Sequence, residues 1–238
     1  MPFQKKINFN KILLLLGFII VIIGLISVIC LQTDVMDFSR GHDFYYLNDS
    51  GHSVDFKDGL NFIYEVQLSR VQTVEKWMVP IRIKYEGNPT KEDIAVLNKV
   101  IKDFNKIDGF PGIKIVNKDE NVLLIYAPQE DLPEIQQKYH LTNLTIDKGV
   151  CQRFSEDGEI KRAIIIIESD VDQKTKNSVV LHEIFHMIGF YGHSALNTSV
   201  INQIGESVPK LSAVDTLAFQ MLYCPEIKIG MTYYEIDV

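Results

Sequence analysis

The sequence predicts an α/β protein of the α+β kind: a mixed, twisted sheet laid over one histidine-bearing helix, followed by a small irregular C-terminal part ending in a helix. Three observations predict it. Strand-like and helix-like segments alternate from residue 75 onward. The run Ala163-Ile164-Ile165-Ile166-Ile167 is apolar at every position, as befits a strand covered on both faces. An apolar segment near residues 179–188 carries two histidines four apart and is followed by a glycine, the pattern of a functional helix that stops sharply.

Taken in order, residues 1–33 hold Lys5, Lys6 and Lys11 and no acid, and Ile12 to Leu31 is a run of 20 uncharged residues. At about 1.5 Å per residue such a helix spans about 30 Å, enough for a bilayer core. Lysines ahead of the run predict a single-pass anchor with a cytoplasmic N-terminus and an extracytoplasmic remainder. A cleaved signal peptide, and so a secreted protein, is the rival reading. Its apolar core is about 7–15 residues with small residues before the cut, and Ile29 ahead of Cys30 fits neither that pattern nor a lipid-modified Cys30. Residues 34–74, polar and aromatic, read as a stalk, a pro-segment or an added hairpin, with His42 and His52 as surface residues. Residues 75–238 read as the functional domain.

Within that domain Lys76 to Tyr85 alternates as a strand does. Thr90, with Asp93 three residues on, opens a helix whose stripe is Ile94, Leu97, Ile101 and Phe104. Gly109-Phe110-Pro111-Gly112 breaks it. Residues 113–116 and 122–127 are short strands, 128–139 a polar helical connection, and 149–155 and 162–168 a strand pair turning at Asp157-Gly158. The histidine helix is expected over about 177–188, and a last helix over 212–222 with Ser212 as cap and Asp215 at the third position.

Three lysines in the first 33 residues leave 21 basic against 31 acidic residues after them, a formal charge of −10. That balance argues against a nucleic-acid partner, which selects basic patches. Cys151 and Cys224 lie outside the apolar run. In an oxidising compartment a bridge between them would contribute roughly 3–5 kcal/mol by loop entropy; as free thiols they would pack as small hydrophobes. Both readings stand on the residues alone.

The chemistry concentrates in His182-Glu183-Ile184-Phe185-His186-Met187-Ile188-Gly189-Phe190-Tyr191-Gly192-His193. Four residues are close to one helical turn, so His182 and His186 can present nitrogens to one metal ion. Glu183 then projects beside that metal, where a general base is needed. With six histidines in the chain, roughly 0.01 such matches arise by chance. Gly189 can end the helix in a left-handed conformation, and the reversing chain offers His193 as third ligand. A different ligand set would keep His182 and His186 and take a downstream acid, Glu206 being the best placed. Asp170 and Asp172 read as a solvated loop, with calcium binding as the rarer reading.

His-Glu-x-x-His-x-x-Gly with a following histidine, in this order of elements, resembles the metzincin superfamily of zincin-like zinc endopeptidases over roughly residues 75–238. The ending Gly189-x-x-Gly192-His193-Ser194 is similar to a bacterial variant group, and residues 211–231 are similar to uncharacterised secreted bacterial metzincin-like domains. The resemblance implies Zn2+ held by His182, His186 and His193, Glu183 as base, and a peptide or protein substrate lying extended along an edge strand at Val150, Gln152 and Phe154. It departs in two places: His193 comes one residue later than the family's third histidine, and Ile201 stands where the family has a turn methionine. Tyr191 and Tyr223 are expected to pack near the site. Two other functions share these residues: a metal-retaining binding module without turnover, and an envelope amide hydrolase.

Overall fold

The computed structural model describes residues 46–47, 53–141, 146–203 and 208–236. Strands β1 (Tyr46–Leu47) and β2 (Ser53–Val54) form a small antiparallel ladder. Helix α1 (Phe56–Ile63) follows, opened by a capping box between Asp55 and Asp58. It runs on into a π-helical segment, Tyr64–Leu68, and one closing turn, Ser69–Val71. The main sheet comprises β3 (Ile81–Gly87), β4 (Ile113–Ile115), β5 (Val122–Ala127), β6 (Gly149–Glu156) and β7 (Glu159–Glu168). Its order is β4-β3-β5-β7-β6, parallel throughout except for antiparallel β6 on one edge. The helices are α2 (Lys91–Phe104), α3 (Leu132–Lys138), α4 (Gln173–Met187), α5 (Ala213–Tyr223) and α6 (Tyr233–Ile236). The expected class, a mixed sheet over a histidine helix with a smaller C-terminal part, is the class observed.

Ala163–Ile167 are all buried in β7, which lies between β5 and β6. Ile164 and Ile166 join Ile125, Leu132 and Leu141 on one face. By strand alternation their neighbours Ala163, Ile165 and Ile167 turn to the other face, where α4 packs on β6 and β7. The covering on both sides explains the uninterrupted apolar run. Thr90 and Asp93 make the anticipated capping box, and Asp93 also binds across helices: its Oδ1 accepts from Gln173 Nε2 (2.7 Å) and lies 3.3 Å from Lys176 Nζ. A buried ion pair thus joins α2 to the start of α4.

Three expectations need correction. The first strand starts at Ile81 instead of Lys76, because Pro80 has no N–H to give to a ladder; Lys76 is buried, donating to the carbonyls of Leu222 (3.0 Å) and Ile227. Helix α4 starts at Gln173, where Asp172 caps it by accepting from Thr175 N (3.0 Å). The part of 34–74 that is described is no stalk: Leu60, Phe62, Ile63, Val66 and Leu68 are buried, and α1 packs against α5. Its apolar spacing was hidden among polar residues, and its burial depends on an α5 some 150 residues away. Among the described residues no helix is long and apolar enough to cross a membrane. The run expected as an anchor, with His42, His52 and Glu206, lies outside the described residues.

Candidate metal centre

Helix α4 carries His182 and His186 one turn apart, and the chain after Gly189 returns to place His193 against them. The Nε2 atoms of His182 and His186 are 3.0 Å apart, and those of His182 and His193 3.2 Å. One nitrogen from each of the three rings lies within 4.8 Å of the others. A tetrahedral ion with bonds of about 2.0–2.1 Å sets its ligand nitrogens roughly 3.3 Å apart, so the cluster has the dimensions of one metal site.

The tautomers follow from the partners. His182 Nδ1 lies 2.7 Å from the Val200 carbonyl and His186 Nδ1 2.6 Å from the Phe190 carbonyl. Each Nδ1 must therefore carry the proton. In the neutral rings both Nε2 atoms then present lone pairs to each other at hydrogen-bond distance, an arrangement that a shared cation satisfies. Their surroundings favour the neutral form of all three rings. Burial pushes His182 down to about 4 and His186 well below its usual value, while burial and the charge of Arg70 lower His193.

Glu183 is buried beside this cluster, and burial raises its carboxyl to about 8. It lies over Gly149 of β6, where any Cβ would come within 2.9 Å of Glu183 Oε1. A base poised near neutrality next to a metal-sized gap suits proton transfer. The cluster opens on a cleft of about 800 Å3, bounded on one side by β6 and lined by Arg70, Lys148 and Thr175 among others.

The end of α4 is unusually well held. A helix leaves its last carbonyls without intrahelical donors. Here five successive carbonyls each meet a side chain: His186 from Arg153, Met187 from Trp77 Nε1 (2.9 Å), Ile188 from the Tyr223 hydroxyl (2.7 Å), Gly189 from Gln67 Nε2 (2.6 Å) and Phe190 from His186 itself. Arg153 also lies over the Tyr191 ring, 3.5 Å from its centroid. Gly189 has φ +138° and leaves no room for a Cβ, which would sit 2.9 Å from Leu222 and 3.0 Å from the Glu75 carbonyl. So the glycine does end the helix, and both backbone angle and crowding demand it.

A second support reaches His182 through Val200. Asp215, the third residue of α5, is capped by Ser212, whose Oγ accepts from Asp215 N (3.2 Å), and its carboxylate accepts from Ser199 Oγ (2.6 Å) and Val200 N (3.1 Å). The Val200 carbonyl, held in this way, orients the His182 ring. Ile201 is fully buried, and its carbonyl accepts from Ser194 N (2.8 Å), so the turn that lacks a methionine is tied beside His193.

The remaining sequence candidates are distributed as follows. β6 is an edge strand, but Val150 and Phe154 pack toward the far-face cluster and Gln152 donates to the Arg153 carbonyl. The β6 residues that line the cleft are Gly149, Val150, Cys151 and Arg153, so of the three candidates only Val150 reaches it. Tyr223 packs away from the ligands, whereas Tyr191 lines the cleft. The Cys151–Cys224 bridge is not formed; both thiols are free. Cys151 lies in the histidine cleft with Arg153 and Glu183 as charged neighbours, while Cys224 ends α5 beside Glu226 and a separate cavity. Burial raises both thiols, Cys224 to about 11. Asp170 and Asp172 serve as loop and cap acceptors, for Gln129 N and Thr175 N. Sequence reading missed Trp77, Arg153, Gln67 and the π segment as supports; only the tertiary contacts give them meaning.

A family model described as "Protein of unknown function (DUF2927)" matches residues 55–237. The chain belongs to the DUF2927 family. The DUF2927 match begins at the cap of α1, so it includes the segment whose Gln67 holds the end of the histidine helix. Comparison with curated proteins gives no match.

Proposed function

We propose that this DUF2927 chain is a zinc-dependent peptidase that hydrolyses peptide bonds with water, and that the apolar run at 12–31 anchors it with this domain outside the membrane. The observation that carries the reading is the facing pair of Nε2 lone pairs, joined by a third imidazole, next to a buried carboxyl in an open cleft.

His182, His186 and His193 would hold the ion, leaving a fourth position toward the cleft. Three neutral imidazoles with their Nδ1 protons engaged are the donor set that zinc takes in catalytic sites. Zinc bound there supplies Lewis acidity, which acidifies water and polarises a carbonyl. Glu183 is the group that takes the proton from attacking water. It then returns that proton to the leaving amine nitrogen, so the carboxyl ends the cycle as it began. A divalent cation beside Glu183 favours its carboxylate form against the cost of burial. The β6 edge offers backbone donors and acceptors to an extended peptide, a mode that gives affinity with little sequence preference.

The test is Glu183→Gln in the whole chain, with zinc content and peptide hydrolysis measured together. Hydrolysis should fall at least about a hundredfold while zinc is retained. Undiminished hydrolysis in that variant would overturn the mechanism. Zinc binding without hydrolysis by the unaltered chain would make it a binding module, and hydrolysis of cell-wall fragments in preference to peptides would make it an envelope amidase.

A further inference from the structure

We infer that Glu65 is a positioning residue for His193, and that the π-helical segment Tyr64–Leu68 is the element that sets the third ligand. The inference rests on the metal reading above but concerns residues outside the histidine motif.

His182 and His186 are aimed through their rings, because a carbonyl holds each Nδ1. His193 is different. Among the described residues no carbonyl holds its ring, which meets those of the other two histidines with Arg70 as a charged neighbour, and the residue is partly exposed. Its aim must therefore come from its backbone. That backbone is clamped on both sides by consecutive residues of the π segment. Ahead of His193, the Val66 carbonyl accepts from both Tyr191 N (2.7 Å) and Gly192 N (2.6 Å). Behind it, Glu65 accepts from Ser194 Oγ at Oε2 (2.8 Å) and from Ala195 N at Oε1 (2.8 Å). The next residue, Gln67, holds Gly189. An ionised carboxylate has only acceptors, so it suits a hydroxyl and an amide that both donate.

The π geometry makes this possible. Ser69 N bonds the Tyr64 carbonyl, five residues back, which widens the turn and lets the Val66 carbonyl serve the neighbouring chain. Gly192, the residue that displaces His193 by one position, is explained by the same contact. A Cβ there would lie 3.3 Å from Val66 Cα and 3.4 Å from the Glu65 carbonyl. The close approach of turn to π segment needs a small residue, and the extra glycine supplies it.

The experiment measures zinc affinity by chelator competition, and the visible spectrum of the cobalt-substituted protein, on the full chain. The variants are Glu65→Ala, Glu65→Gln, His193→Ala and the double variant Glu65→Ala/His193→Ala. Glu65→Ala should weaken zinc about 10–100-fold, the usual effect of losing a support behind a ligand. It should also reduce the intensity of the cobalt bands, as loss of a tetrahedral ligand does. Glu65→Gln, which keeps one acceptor oxygen, should recover most of the affinity. In the His193→Ala background, Glu65→Ala should change affinity less than about twofold, since a residue acting through His193 has nothing left to position. Equal losses in both backgrounds would show a merely structural role and overturn the inference, as would unchanged affinity in Glu65→Ala. Should Glu65→Ala fail to fold, Ser194→Ala, which removes one of the two groups that Glu65 holds, carries the same comparison with and without His193. No zinc binding by the unaltered chain would overturn both this inference and the metal reading; zinc binding with the expected pattern but no hydrolysis would overturn only the peptidase reading.

Discussion

Helix α4 and the return from Gly189 to Asn202 contribute to one histidine cluster but are held in opposite ways. The helix places His182 and His186 by its own period, and its exposed carbonyl end is tied by side chains from β6, from residue 77, from α5 and from the π segment. The return has no regular structure of its own. It is tied by what it donates, its N–H groups and two serine hydroxyls, to the Val66 carbonyl and Glu65 carboxylate on one side and to the Asp215 carboxylate on the other. A helical histidine pair is over-determined; a histidine on a turn depends on each contact that shapes the turn.

Changes that break this contrast rank by the contact they remove. His186→Ala takes away a buried ligand on the helix itself and should lower zinc affinity on the order of a thousandfold or more, read by chelator competition. Arg153→Met should come next, in stability: it leaves the buried His186 carbonyl without that donor and removes the cation from the Tyr191 ring, a loss of about 2–4 kcal/mol in the urea unfolding of the metal-free chain. A midpoint unchanged by this substitution would mean that the remaining donors at the α4 end suffice. Asp215→Asn keeps the shape of the side chain but not its capacity to accept from Ser199, Val200 and Ser212 together. It should cost about tenfold in zinc affinity, through the Val200 carbonyl and His182. Gly192→Ala presses a methyl against Val66 and should weaken zinc only a few-fold, with about 1 kcal/mol lost in stability; a larger effect on zinc than on stability would sharpen the view that the return is the sensitive half. The smallest effect is expected for Cys151→Ser with Cys224→Ser. As the thiols are free, reducing agent should leave the unfolding midpoint of the unaltered chain unchanged, and a fall of several kcal/mol on reduction would reveal a bridge after all.

How much of this was legible in advance follows the range of the interactions. The capping pairs Thr90/Asp93 and Ser212/Asp215, the buried strand at 163–167, the turn at Asp157-Gly158 and the His182/His186 stripe all depend on residues within a few positions of one another. Each appears where local spacing puts it. In α1 the signal is local, an Asp55/Asp58 capping box ahead of the apolar Leu60 and Ile63, whereas that of the π segment is a partner and not a period. Gln67 looks like an ordinary polar residue until the carbonyls of Glu75 and Gly189 are found on its amide. Asp215 was legible as the partner of the Ser212 cap and illegible as the anchor of Val200. The strand at 149–155 is the sheet edge, but which of its residues reach the cleft, Val150, Cys151 and Arg153 and not Gln152 or Phe154, is set by the covering helix.

The sequence by itself determined the period-coded parts: a mixed sheet with one doubly covered strand, two histidines on one helical turn, a carboxylate beside them, and a glycine that stops the helix. The tertiary structure alone decided that His193 joins them, that Cys151 and Cys224 stay apart, and that residues before 75 belong to the same core. The physical reason is that helix and strand periods are written into neighbouring residues, whereas a turn without its own hydrogen-bond ladder takes its shape from whichever distant groups accept its N–H groups. Here those groups are Val66, Glu65 and Asp215.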